Sequence, residues 1–194
     1  MENLEMPQMI FLNTAWMTDY RGITREDGPM HGGEYITENE FGSEIFNFLP
    51  FEGYLYGYVQ PPRGGGSNPR GIINIERMGA SWLDESLNGI LVIWVARSES
   101  LGSVIVGWYK DATVFGEVQA PPANSNRIYD GEGVEYYVKT KAENGFLIPA
   151  SERKFKIPRG KGWMGQANTW YADQDTHGQF KRDVLKYIEK MERK

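Results

Sequence analysis

Between Gly89 and Gln119 the chain reads GILVIWVARSESLGSVIVGWYKDATVFGEVQ, and polar positions there are confined to short breaks. The pattern predicts three β-strands, Ile90–Ala96, Val104–Tyr109 and Ala112–Val118, joined by RSESLGS and by Lys110-Asp111 as an antiparallel meander. Gly107 interrupts the central strand just before two large aromatics, which predicts a bulge or a close approach to the backbone there. An opening strand is expected over Met9–Trp16, and others over Tyr54–Gln60, Gly71–Arg77, Val134–Thr140 and Phe146–Ile148. Pro61-Pro62 closes the second of these. A short helix is expected within Glu34–Phe48. Long polar loops are expected over residues 18–33 and 63–71 and over Ala120–Gly133. Phe180, Val184, Tyr187, Ile188 and Met191 recur at helical spacing, and Asp175 or Thr176 would cap that final helix.

These elements predict an α+β chain: a β-rich core of six or seven strands over about 9–175, one or two short helices, and a C-terminal amphipathic helix over about 177–192. A chain of 194 residues fits a single domain. Six Trp and eleven Tyr exceed the needs of an ordinary small core and point to a ligand site or an interface. The absence of Cys excludes disulfides, zinc–thiolate sites and thiol nucleophiles, and it suits a reducing compartment. The N-terminus has no signal-peptide pattern and no apolar run reaches membrane length, so a cytoplasmic protein with no membrane partner is expected.

The net charge of −5 is unevenly spread: residues 1–50 hold nine acidic side chains and two Arg. Arg153, Lys154, Lys156, Arg159 and Lys161 form an acid-free run that suits phosphate contact, and Arg63, Arg70 and Arg77 form a looser one.

A catalytic centre is not evident. His31 and His177 are the two histidines, too few for a His-based metal centre unless carboxylates complete the ligand set. RGGGSNPRG lacks the Lys of a phosphate-binding P-loop, and no GxSxG elbow occurs. Asp130 with Glu152-Arg153-Lys154 matches a metal-dependent nuclease pattern only literally. No metal and no cofactor are expected. Three segments instead combine Trp or Tyr with polar groups: 13–21, 107–111 and 162–173. That mixture suits a flipped base, with rings stacking on its faces and amides or carboxylates reading its edge.

The strand pattern GILVIWVARSESLGSVIVGWYKDATVF resembles the central hairpin of the PUA-like superfamily, which includes EVE, YTH, ASCH and SRA-type domains. MIFLNTAWM resembles its first strand and pocket loop. GWYKDATVF and GKGWMGQANTWYAD are similar to segments of bacterial domains associated with HNH-type endonucleases. The resemblance implies a pseudo-barrel that reads a modified base in DNA, with RNA the weaker alternative, and targets a restriction or defence activity supplied by a nuclease partner or fused domain. It implies Trp16, Trp108 and Trp170, with Tyr20 and Tyr109, as cage rings. Asn13, Asp19 and Asn168 would read the base edge, and Arg159 and Lys161, with the rest of the cationic run, would hold phosphates. The alternatives are a protein-interaction or small-molecule-binding domain and a carboxylate-based nuclease.

Overall fold

The computed structural model describes residues 6–30, 42–62 and 71–194. It is strand-rich and mixed α+β, with one seven-stranded sheet, a separate two-stranded ribbon and a C-terminal helix. The main-sheet strands are β1 (Met9–Thr14), β2 (Tyr54–Gly57), β3 (Ser86–Ser98), β4 (Gly102–Gln119), β7 (Tyr136–Lys141), β8 (Gly145–Leu147) and β9 (Thr169–Trp170). Their order is β2-β7-β4-β3-β1-β9, with β8 also on β4. β1 runs parallel to β3, and every other pair is antiparallel. Helix α1 is Gly178–Glu192. No described helix is long and apolar enough to cross a membrane.

Strand alternation divides the interior into two cores. Ile10, Leu12, Val92, Trp94, Val106 and Tyr109 face one way, together with Ile73, Met78 and Tyr137. Met9, Phe11, Leu91, Ile93, Ile105 and Trp108 face the other, and α1 covers them with Val184, Ile188 and Met191. The near-continuous apolar run of β3 follows from this, because a strand covered on both faces has no polar side to alternate with.

The expected three-stranded meander is a two-stranded hairpin. Lys110-Asp111 does not turn the chain; β4 runs on through it as one strand of 18 residues. Between Val92↔Tyr109 and Ile90↔Ala112, β4 spends one residue more than β3. Asp111 takes a left-handed φ of 48°, so the site is a β-bulge. Gly71–Arg77 is not a strand either: Ile75–Met78 is a 3-10 turn capped by the Asn74 side chain, which accepts from the Arg77 N–H at 3.3 Å. Within Glu34–Phe48 the described part forms a 3-10 turn at Ser43–Phe46, while 34–41 lie outside the described residues. Of the loop expected over 63–71, residues 63–70, with Arg63 and Arg70, also lie outside them.

Inside the Ala120–Gly133 loop, β5 (Ile128–Tyr129) and β6 (Glu132–Gly133) form the ribbon around an Asp130-Gly131 turn. Both turn residues have positive φ, as a two-residue hairpin turn requires. The final helix is led in by a 3-10 turn at Asp175–His177, whose N-cap is Gln174 in place of the expected Asp175 or Thr176. His177 is buried. Its Nδ1 accepts the Gln174 N–H at 3.3 Å, which leaves Nε2 to donate to the Gly162 carbonyl at 2.6 Å. A backbone donor on one nitrogen and a backbone acceptor on the other give this histidine a structural role.

Candidate nucleic-acid interface

The cage expected from Trp16, Trp108 and Trp170 is not assembled. Trp108 is fully buried in the helix-covered core, stacked on Phe146 at 4.6 Å with 6° between planes, and its Nε1 donates to Glu192 Oε1 at 3.0 Å. Trp170 lies in the same core against Phe11, Trp163 and His177. Trp16 packs against the opposite core. The sheet itself separates Trp16 from the other two, so the three indoles cannot wall one slot. Tyr20 and Tyr109 are also fully buried. Their hydroxyls donate to the carbonyls of Ala15 and Asn47, and burial drives both phenol pKa values far up. Neither ring is a base-stacking surface. The close approach expected at Gly107 is made by the chain itself. A Cβ there would fall 2.4 Å from the Phe146 carbonyl oxygen and 2.7 Å from the Phe48 ring.

A polar group does assemble where β1 meets β9. Asn13 donates its backbone N–H to the Asn168 carbonyl at 2.8 Å and its side-chain amide to Asn168 Oδ1 at 3.2 Å. Asn168 Nδ2 in turn donates to the Gln60 carbonyl at 3.0 Å. Both asparagines are half-buried. Trp16, also half-buried, lies just beyond the end of β1 with the Arg153 guanidinium 4.9 Å from its ring centre. Asp19 is exposed in the following loop, where the Asp27 carboxylate accepts the N–H groups of Thr18 and Asp19.

Two further residues of this region escaped the sequence reading. Among the described residues, Thr14 Oγ1 and Trp94 Nε1 are the buried side-chain polar atoms without a hydrogen-bond partner. Both face the first core: Thr14 stands opposite Ala96, and Trp94 opposite Leu12, two positions back on the same pair of strands. Glu44 is buried nearby, its Oε1 accepting the Ala15 N–H at 3.3 Å, and burial raises its pKa. Orphaned groups of this kind are uncommon in folded proteins and call for an explanation.

The cationic run divides. Arg153 is buried and its guanidinium is taken up by the chain itself: it donates to the carbonyls of Ile148, Met17 and Thr18 at 2.8, 2.6 and 2.6 Å. Lys154, Lys156, Arg159 and Lys161 are exposed. Segment 155–157 lies along β4, with the Ile105 N–H on the Phe155 carbonyl and the Ile157 N–H on the Ser103 carbonyl. Phe155 and Ile157 therefore turn inward. Lys161 rides on a turn between Gly160 and Gly162, both at positive φ. Burial, and then the neighbouring Arg97 guanidinium, lower the pKa of Arg159. Arg97, which sits opposite Ser103 on β3, joins this edge as a cation that sequence spacing alone could not associate with it. None of Lys154, Lys156, Arg159 and Lys161 forms an ion pair among the described residues.

The nuclease pattern does not converge. Asp130 is exposed on the ribbon turn, whereas Glu152 pairs with Lys194. Among the described residues no three His, Asp or Glu side chains meet as a metal site, and His31 lies outside those residues. Comparison of the chain with protein-family models, curated proteins and solved structures yields no match.

Proposed function

We propose that the chain is a noncatalytic nucleic-acid-binding module that reads a modified base in DNA at the β1–β9 end and holds the flanking phosphates along the cationic edge. The observation that carries this reading is the set of cations Lys154, Lys156, Arg159 and Lys161, none of them ion-paired among the described residues, with Arg97 beside them. Unpaired guanidinium and ammonium groups on one edge suit a polyanion better than solvent alone, because each phosphate neutralised releases a condensed counterion. Trp16, backed on one side by Arg153, is the ring available for stacking, and Asn13 and Asn168 are edge readers. Thr14 Oγ1 and Trp94 Nε1 supply buried hydrogen-bonding capacity that a heterocycle could use. The likeness of β1, β3 and β4 to the PUA-like pattern supports a pseudo-barrel with a flipped, modified base. Any cleavage would belong to a nuclease partner or fused domain.

The test is a binding screen against duplexes carrying 5-methylcytosine, 5-hydroxymethylcytosine, N6-methyladenine or no mark. One marked duplex is expected to bind best, with affinity falling steeply as salt rises. Trp16→Ala is expected to remove the preference at a cost of about 1–3 kcal/mol, the scale of one stacked base. Equal, salt-insensitive affinity for all four duplexes would end the reading.

A further inference from the structure

We infer that a separate groove, away from the cationic edge, is a docking site for a basic peptide segment of another protein that carries an apolar anchor. The groove encloses about 700 Å³ and lies between Ile72–Glu76 and the turn at 82–85, with Gly116 at its base. Three of its apolar side chains are unusually open to solvent: Trp82 is 79% exposed, Leu83 69% and Ile72 44%. Isolated exposed apolar residues need no explanation, but a Trp, a Leu and an Ile sharing one concavity mark an interaction surface.

The geometry is built. Ser81 and Asp84 lock the turn through two hydrogen bonds: Asp84 N–H to the Ser81 carbonyl at 3.0 Å, and Ser81 N–H to the Asp84 carboxylate at 2.6 Å. Trp82 and Leu83 are thus held outward by a closed turn. The floor is backbone: Ile73 N–H donates to the Gly116 carbonyl, and Gly116 N–H to the Glu85 carbonyl, at 2.9 and 3.0 Å. A Cβ on Gly116 would make only ordinary contacts, the nearest at 3.6 Å, so the glycine leaves the floor open without being forced by the fold.

Charge selects the occupant. Glu76, Glu85 and Glu117 line the groove, and none forms an ion pair among the described residues. Among the described residues no Lys or Arg lines it. The carboxylates do not converge as a metal site, so the cation they suit is an extended one, with several charges spread along a chain. A nucleic acid is repelled here. An aromatic or aliphatic side chain would seat against Trp82 and Leu83, flanked by Lys or Arg on the glutamates, as interface hot spots combine an apolar anchor with charged surroundings.

The experiment selects a randomised twelve-residue peptide library on the full chain and measures the enriched peptides by fluorescence anisotropy. Net-positive peptides with a central aromatic or aliphatic residue are expected. Trp82→Ala should weaken them at least tenfold, and Gly116→Val, which fills the floor without touching surface charge, should do the same. Glu85→Lys with Glu117→Lys should shift selection away from basic sequences. Circular dichroism identifies any variant that fails to fold, and the remaining ones decide. Neutral or acidic peptides, no enrichment, or equal binding to folded Trp82→Ala and Gly116→Val would overturn the inference. Concentration-dependent self-association lost in Trp82→Ala would also overturn it, in favour of a second copy of the chain. Oligonucleotide affinity should be unchanged in Trp82→Ala and Gly116→Val, which leave surface charge as it is and so separate this result from the DNA-reading proposal.

Discussion

Arg153 and Arg159 stand six positions apart in one cationic run and meet opposite fates. Arg153 spends its guanidinium on three carbonyls from two distant loops, tying 17–18 to 148. Arg159 reaches outward beside Arg97 and pairs with no acid among the described residues. Positive charge in a sequence therefore marks two different uses, a crosslink between backbone segments and a landing point for anions. The alternation of Phe155 and Ile157 inward with Lys154 and Lys156 outward accounts for Arg153 but not for Arg159, which shares its parity and is exposed all the same.

The contrast can be broken most forcefully at the interior member. Arg153→Ala orphans two buried carbonyls and a partly buried one at once. At about 1.5–3 kcal/mol for each charge-assisted bond, the expected loss is on the order of 5 kcal/mol, comparable with the stability of an entire small domain. Denaturant unfolding would show it, and a loss under about 1 kcal/mol would contradict the crosslink. Next in size, Trp108→Ala should cost about 3–5 kcal/mol as a core truncation. A cooperative unfolding transition at lower denaturant is the expected pattern; unchanged stability would return Trp108 to the cage role that the family resemblance implied. Arg159→Ala should leave stability within about 0.5 kcal/mol, yet reduce the salt dependence of oligonucleotide binding by about one unit of slope. A selective loss for one marked duplex, with the slope unchanged, would contradict a phosphate role.

The smallest effect concerns Glu44. Burial raises its carboxyl pKa, so the folded chain holds that proton more tightly than the unfolded chain does. The stability linked to it is complete below the unfolded value and is lost as pH rises through the folded one. Glu44→Gln, which keeps an acceptor for the Ala15 N–H, should therefore raise the thermal midpoint at about pH 8 and lose that advantage towards about pH 4. A pH-independent difference would sink the assignment.

Much of the strand content was legible because β3 and β4 are built from Val, Ile and Trp, and α1 because Val184, Ile188 and Met191 recur at helical spacing. The roles of the rings were not. A run such as GILVIWVA already says that both faces are covered, so the aromatics embedded in such strands belong to cores before they belong to pockets. Asp130-Gly131 is a hairpin signal set within a Pro/Asn-rich stretch whose composition otherwise reads as loop. Lys110-Asp111 misled in the other direction, since a polar pair with one left-handed residue serves a bulge as well as a turn. The partnership of Asn13 with Asn168, 155 positions away, and of Arg97 with Arg159 needed the fold itself.

The unbroken course of β4 bears on where the chain can be opened. It borders β3 along one edge and β8 and then β7 along the other, so three strands hang on its backbone. A split or inserted tag at Lys110-Asp111, the site that polarity alone recommends, would sever the spine on which those ladders hang. The turn at 99–101 joins β3 to β4 outside every ladder, and a permuted or fragment-complemented version cut there keeps all the pairings intact.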